Sequence, residues 1–196
     1  MDLSALLKFD TALLIDVNHA RSPFLDVVMP VISDFSMLVP VLVPFLAWRL
    51  YKGDSRERIL WICAVAAVAM SDLLCSRVIK EIVGRPRPYE VLDGIYLFKS
   101  SRWLITDPSF RAGISGTLAW PSCHAMNMWT AASYLTTWWG RRAIMVIIFA
   151  FLVCWSRLYL GVHYPLDVAG GILIGILEGF LIFRGVEFLI SRYGAE

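Results

Sequence analysis

Charge is scarce in this chain: 17% of its 196 residues are Asp, Glu, Lys or Arg, against 58% apolar. With a mean hydropathy of +0.65, that shortage excludes an ordinary soluble domain, in which about a quarter of residues are charged. The charges that exist cluster between long apolar runs, so the chain reads as a membrane protein. The basic excess is small, formally +2, and no basic stripe is present; both points exclude nucleic acid as a partner. Cysteines number four, and the absence of C-x-x-C spacing removes the usual zinc and redox motifs. Cys63, Cys75 and Cys154 lie inside apolar runs and are expected to be small buried hydrophobes. Only Cys123 sits among polar residues. The N-terminus lacks the basic region and small-residue cleavage site of a secretory signal, so an uncleaved first span is expected to direct insertion. Repeats and low-complexity linkers are also missing, which leaves one domain over 1–196.

Five apolar stretches can cross a bilayer core, which takes about 20 residues. They are expected near 27–48, 59–79, 122–138, 143–160 and 168–189. Pro30, Pro40 and Pro44 should kink the first. The last carries Glu178, Arg184 and Glu187, and its far end should snorkel into headgroups. Upstream, Leu3, Leu6, Leu7, Leu13, Leu14 and Val17 share one helix face, with Asp10 in its middle. An interfacial helix over 1–20 is favoured there, because Lys8, Asp10 and Asp16 leave no uninterrupted core for a sixth span. The expected fold is all-α: a polytopic transmembrane helical bundle of five spans with an N-terminal interfacial helix.

Positive charge in short loops sets orientation. Arg49, Lys52, Arg56 and Arg58 follow the first span, Arg141 and Arg142 the third, and Arg184 and Arg192 lie near the C-terminus. Those regions should be cytoplasmic. The 84–120 loop and the 161–167 turn then face the periplasm or extracytoplasmic side of an inner (plasma) membrane. The long loop carries Arg85, Arg87, Lys99, Arg102 and Arg111 as well, so some of its cations must have another use.

Three polar clusters fall at helix ends on that same side. Lys80 ends the second span, and Arg87 follows in a stretch broken by Gly84, Pro86 and Pro88. Snorkelling would account for Lys80; Arg87, aimed by flanking prolines, has a planar fork suited to phosphate oxygens. In the second cluster, Pro121, Ser122, Cys123 and His124 begin the third span. Taken alone, Ser122 could simply cap the helix and His124 be an interfacial residue; a helix N-terminus is also an anion site. In the third, Arg157, His163 and Asp167 bracket a turn containing Pro165. A carboxylate four residues from an imidazole can fix its tautomer and leave the other nitrogen free as a nucleophile. Three cations, two imidazoles and a carboxylate at one interface suggest chemistry on a phosphate group, and phosphoryl transfer rests chiefly on positioning and charge stabilisation.

These residues match a family pattern. Lys80 to Pro88 fits K-x6-R-P, Pro121 to His124 resembles P-S-G-H, and Ser156 to Asp167 fits S-R-x5-H-x3-D. In order and spacing the three blocks resemble the signature of the type 2 phosphatidic acid phosphatase superfamily, which includes vanadium haloperoxidases and glucose-6-phosphatase. Cys123 departs from it, standing where the family usually has glycine; a thiol beside the phosphate is expected. The resemblance implies a helical bundle that hydrolyses phosphate esters through a phosphohistidine, with no metal and no cofactor. It gives His163 the attack on phosphorus, Asp167 its orientation, and His124 the proton for the leaving oxygen. Lys80, Arg87, Ser122, Arg157 and the N–H groups around Cys123 would hold the equatorial oxygens. A bell-shaped pH profile is expected of such an acid–base pair.

The expected partners are the lipid bilayer and a membrane lipid phosphate: a polyprenyl diphosphate, phosphatidylglycerophosphate, phosphatidic acid or a lipid A type glycolipid. Bacterial undecaprenyl diphosphate phosphatases are similar in size. Tyr96, Leu97, Phe98, Trp103, Leu104 and Ile105 either rest on lipid or pack the loop onto the bundle. Two other classes stay open: a lipid-to-lipid phosphotransferase using the same histidine, and a non-catalytic scaffold or transporter. Asp72 and Glu178, near the middle of spans, are expected to point into the bundle, bonded to polar neighbours such as Ser71 and Ser76 or protonated. The residues fix neither monomer nor dimer.

Overall fold

The computed structural model describes residues 2–113 and 116–193. Residues 114–115 of the 84–120 loop and the two ends of the 1–196 range lie outside the described residues.

Four helical stretches are long and apolar enough to cross a membrane: Phe35–Lys52, Ser55–Val83, Cys123–Tyr159 and Pro165–Tyr193. Their outward residues are apolar, with Val65, Leu73, Phe151 and Leu173 at least half exposed. Such a surface is far beyond the apolar patches that water-soluble monomers tolerate. Helix α1 (Leu3–His19) begins at Asp2, whose carboxylate caps Ser4, and buries Asp10, Leu14, Val17 and Asn18. Leu3 and Phe9 face outward. The expected apolar face is therefore rotated, with Asp10 turned inward rather than interrupting a lipid-facing surface.

The first expected span is broken rather than kinked. Helix α2 (Pro23–Ser33) stops at Asp34, and a 3-10 turn (Phe35–Leu38) precedes α3 (Val39–Lys52). The Asp34 carboxylate accepts the Ser36 N–H at 2.9 Å, capping the new turn and offering the backbone an alternative to continuing the helix.

Helix α4 (Ser55–Leu74) runs through a π-helical turn (Cys75–Ile79) into α5 (Lys80–Val83) and stops at Gly84, which caps it at φ +65. A short helix α6 (Pro88–Val91) leads to strands β1 (Tyr96–Lys99) and β2 (Arg102–Ile105), paired antiparallel, and then to α7 (Pro108–Ala112). This hairpin is an addition to the all-α expectation. Its tip residues Ser100 and Ser101 adopt positive φ. Its aromatic set packs onto the bundle: Leu97 is buried, and Trp103 meets the Tyr159 ring edge-on at 6.0 Å and the Arg21 guanidinium at 3.5 Å. Ile105 stays exposed.

Helices α8 (Cys123–Trp139) and α9 (Ile144–Tyr159) are separated by a 3-10 turn starting at Gly140, whose φ is +59. Helix α10 (Pro165–Tyr193) lies along α8. A Cβ at Gly171, Gly175 or Gly179 would sit 2.6, 2.4 or 2.3 Å from the carbonyl oxygens of Ser122, Met126 and Thr130. Glycine every fourth residue thus lets two backbones touch, as small-xxx-small stripes do between membrane helices. Tyr134 donates to the Leu60 carbonyl at 2.9 Å and meets Phe183 edge-on, which joins α4 to the same pair.

The mid-span acids part company. Glu178 accepts from Thr130 at 3.0 Å, and Thr130 lies 3.2 Å from the buried Ser71 hydroxyl. Asp72 is not buried in the bundle: it stays exposed at the edge of the contact between α4 and α8, where it accepts from Asn127 of α8 at 2.9 Å. An eight-residue offset from Lys80 is about two helical turns, but the π turn between them rotates the face.

Candidate active site

The ends of α5, α8, α9 and α10 meet at one place, and the three sequence clusters meet with them. The π turn immediately before Lys80 re-aims that side chain, as such bulges often do at functional sites. Lys80 donates to the Leu118 carbonyl at 2.8 Å, and Arg87 donates to the same oxygen at 3.2 Å. Arg87 sits in extended backbone (φ −76, ψ 155), the conformation that a following proline imposes. Its loop is held by Tyr89 against Thr117 and by Glu90, which accepts the Thr117 N–H at 2.9 Å.

Ser122 is the N-cap of α8, fully buried, with its hydroxyl facing the Ala125 N–H at 3.5 Å. Its own N–H donates to the Asp167 carbonyl at 2.9 Å, sewing the second cluster to the third. His124 follows in the first turn, half-buried. Cys123 is not a free thiol and Cys75 is not merely a buried hydrophobe: they form a disulfide with Cα atoms 5.6 Å apart. The bond joins the π turn to the first residue of α8. Cys63 and Cys154 are free; Cys154 is buried, as expected, and Cys63 is half-buried.

Arg157, near the C-terminal end of α9, is buried and donates to the Ser33 hydroxyl. It also lines a cavity of about 420 Å³, walled by Val31, Met37, Phe98, Leu160 and Val162 and bordered by Asp34. The chain then turns at Gly161 (φ +71), where a Cβ would meet Ile95 and the Tyr96 carbonyl at 2.6 Å. Pro165 opens α10, suited to a position whose N–H needs no helical partner. This turn sets His163, 1% exposed, with Nδ1 3.5 Å from an Asp167 carboxylate oxygen. That contact is too long for a good hydrogen bond, and Nδ1 has no other partner among the described residues.

Burial first, and then the charges of Arg87, Arg157 and Lys80, hold the His163 pKa well below that of an exposed imidazole. The ring is therefore neutral at neutral pH, within a cationic field. Asp167 itself is fully buried; it accepts from Arg85 at 2.7 Å and from the Tyr164 N–H at 2.8 Å. In the sequence, nothing sets Arg85 apart from the other loop cations, and Asp10 stands out only as a break in an apolar face. Among the described residues no group of three or more His, Cys, Asp or Glu could hold a metal ion.

The chain is 29% identical to a lipid A 4'-phosphatase of Bacteroides thetaiotaomicron, over 97% of this chain and 83% of that protein. It is 26% identical to the undecaprenyl-diphosphatase BcrC of Bacillus subtilis, over 88% and 80%. A transmembrane PAP2 type phosphatidylglycerolphosphate phosphatase from Bacillus subtilis has the same fold, with a TM-score of 0.69 at 25% identity over 96% of this chain and 89% of that one. These relatives make the chain a multi-pass membrane protein and a phosphoric ester hydrolase. The PAP2 superfamily model matches residues 58–191, the stretch that holds all three clusters, and the chain belongs to that superfamily.

Proposed function

We propose that the protein is a lipid phosphatase that works through a phosphohistidine, without a metal, at the extracytoplasmic face of the inner membrane. The observation that carries this reading is His163, a buried neutral imidazole with a carboxylate on its Nδ1 side and three cations around it. In the first step Nε2 attacks phosphorus, the P–N bond forms, and the bond to the leaving oxygen breaks. His124, protonated once the negative charge of the phosphate offsets the cations around it, gives that oxygen its proton. Asp167 stabilises the positive charge that develops on the His163 ring, and its contact to Nδ1 shortens as the charge grows. In the second step His124 takes a proton from water, the hydroxide attacks phosphorus, and the P–N bond breaks to release phosphate. Lys80, Arg87, Arg157, the Ser122 hydroxyl and the N–H groups at the start of α8 hold the equatorial oxygens. The cations supply the charge a metal would otherwise bring.

The orientation draws support from the disulfide, since such bonds persist in oxidising compartments and are rare in the cytosol. Five crossings follow if α8 and α9 each span the bilayer, with the Gly140 turn, Arg141 and Arg142 on the cytoplasmic side. Helix α1 then lies at the outer interface, against the site.

The substrate reading is a lipid A type glycolipid phosphate, on the strength of a lipid A 4'-phosphatase aligned over nearly the whole chain. The cleft beside Arg157 has Val31, Met37, Phe98, Leu160 and Val162 along its apolar side, a wall that suits the first carbons of a lipid next to its phosphate. The test is phosphate release in detergent with EDTA from lipid A, undecaprenyl diphosphate, phosphatidylglycerophosphate and phosphatidic acid, with His163→Ala as blank. Release from lipid A above the others, insensitive to EDTA and lost in the mutant, is expected. Loss with EDTA would overturn the metal-free mechanism. Preference for another lipid would overturn the substrate, and an active His163→Ala would overturn the nucleophile.

A further inference from the structure

Helix α1 reaches the site through one buried ion network. Asp10 is 1% exposed, and each of its carboxylate oxygens has a partner: Arg85 Nη2 at 2.6 Å and the Leu166 N–H at 2.8 Å. The other Arg85 nitrogen donates to Asp167 at 2.7 Å. The guanidinium lies 4.0 Å from the centre of the Tyr164 ring, which closes it off from one side. Arg85 thus forks between two buried carboxylates contributed by opposite ends of the chain. Only a planar guanidinium can do this with fixed geometry.

The fork decides what Asp167 can offer. One of its oxygens is occupied by Arg85, and the other faces both the Tyr164 N–H and His163 Nδ1. Rotation of the carboxylate about its own axis would break the Arg85 bond, so the oxygen nearest the imidazole stays there. Charge is set by the same arrangement. Arg85 alone would balance the formal charge of Asp167; with Asp10 sharing the guanidinium, the trio has a formal charge of one negative beside His163. A phosphorylated imidazole carries positive charge and needs that anion.

We propose that Asp10 and Arg85 are positioning residues of the phosphatase. They act through Asp167 to hold a correctly aimed anion on His163, and they make α1 part of the active site. This rests on the reading of His163 as nucleophile and Asp167 as its partner. Neither residue touches the phosphate, so both should matter for turnover and little for binding. Outer partners of metal-bound histidines cost about 10- to 100-fold when removed, and a comparable loss is expected here.

The experiment is a double-mutant cycle in detergent, reading kcat and KM for release of radiolabelled phosphate from the preferred lipid. Asp10→Asn keeps the acceptor for Leu166 but removes the charge. Arg85→Lys keeps the charge but not the fork. Each is made in the parent and in Asp167→Asn, with thermal unfolding measured for all. The expected result is a fall of about 10- to 100-fold in kcat with KM within about twofold for each single change. In the Asp167→Asn background neither change should lower kcat further, because the group they act through is gone. A purely structural role would give the same fractional loss in both backgrounds, tracking thermal stability, and would overturn the proposal. Parental kcat in both single variants would overturn it as well, while leaving the His163 mechanism standing. Parental kcat in Asp167→Asn itself would overturn both. If Asp10→Asn fails to fold, the Arg85→Lys arm decides the outcome.

Discussion

The Cys75–Cys123 bond can be removed without touching the three cations, which makes it a clean test of how the proposed phosphate cradle is held. The two cysteines are 48 residues apart, and closing a loop of that length removes about 4 kcal/mol of chain entropy from the unfolded state. That figure is a ceiling, because spans that stay helical in detergent micelles have already lost much of this freedom. At about 2–4 °C per kcal/mol for a chain of this size, the ceiling corresponds to about 8–16 °C, and half of it, about 4–8 °C, is expected. The perturbation is Cys75→Ala with Cys123→Gly, which restores the residue usual at that position and leaves no unpaired thiol. The assay is thermal unfolding followed by the fluorescence of the eight tryptophans, with and without reductant. Reductant should lower the parent's Tm to that of the double variant and leave the variant unchanged. Maleimide labelling of denatured, unreduced protein should find two thiols, Cys63 and Cys154, rising to four on reduction. Four thiols without reductant would refute the bond. A parent and variant with equal Tm would refute its role in holding the π turn to α8.

Two other predictions follow from the packing and the buried imidazole. Gly175→Ala places a methyl 2.4 Å from the Met126 carbonyl and should cost about 1–3 kcal/mol as overpacking; Gly185→Ala meets nothing within 4 Å and should be neutral or gain up to about 1 kcal/mol from helix propensity. Equal Tm changes in the two variants would remove the close-approach account of α8 and α10. For pH, the depressed pKa of His163 means that below about pH 6.5 the unfolded chain binds a proton the folded chain refuses. Its contribution to stability is therefore present above that pH and declines on acidification, by at most about 1.4 kcal/mol per pH unit. The fall in Tm from pH 7.5 to 5.0 should be shallower in His163→Gln than in the parent, and an identical slope in both would refute the assignment of a neutral buried ring.

What the sequence made legible was local. The order of the three blocks, the turn that Pro165 forces between His163 and Asp167, and the helix start at Ser122 each depend on a few neighbouring residues, and the structure brings them together. What it hid was long-range or conformational. Nothing in the spacing of Cys75 and Cys123 distinguishes a bonded pair from two buried thiols, because both lie in apolar surroundings and neither belongs to a short motif. Asp10 looked like a defect because its partner is 75 residues away, and a one-helix reading sees only the face a residue shares, not what comes to meet it. The π turn before Lys80 carries no signal in hydropathy, since one extra residue per turn leaves an apolar run apolar. The β-hairpin turns on Ser100 and Ser101 at positive φ, where sequence rules expect glycine or asparagine. The break at Asp34 is the most readable of these features, since an aspartate can cap the backbone N–H two residues on and start a new turn, whereas the surrounding prolines by themselves predict only a kink.

The arrangement around His163 poses an energetic question that a list of its residues leaves unasked. Lys80, Arg87 and Arg157 repel one another, and all three depress the His163 pKa, so the pocket is held against its own electrostatics. The opposing terms are fixed backbone and covalent ties. One carbonyl, that of Leu118, takes both Lys80 and Arg87. Ser33 on α2 takes Arg157, the disulfide fixes the start of α8, and the glycine stripe of α10 brings Ser122 and Asp167 within one hydrogen bond. None of these ties uses the His163 ring or the full donor capacity of the cations; Arg157 Nε has no partner among the described residues. A site so held need not reorganise when an anion arrives, and under the proposed mechanism that is the source of its rate: donors already in place where charge develops stabilise a transition state more than donors that must first be turned. The broken first span belongs to the same logic. By ending α2 at Asp34, the fold places Ser33 beside Arg157 and opens the cleft that Ser33, Asp34 and Arg157 line together, so the device that interrupts the first apolar stretch also sets the surroundings of one of the three cations.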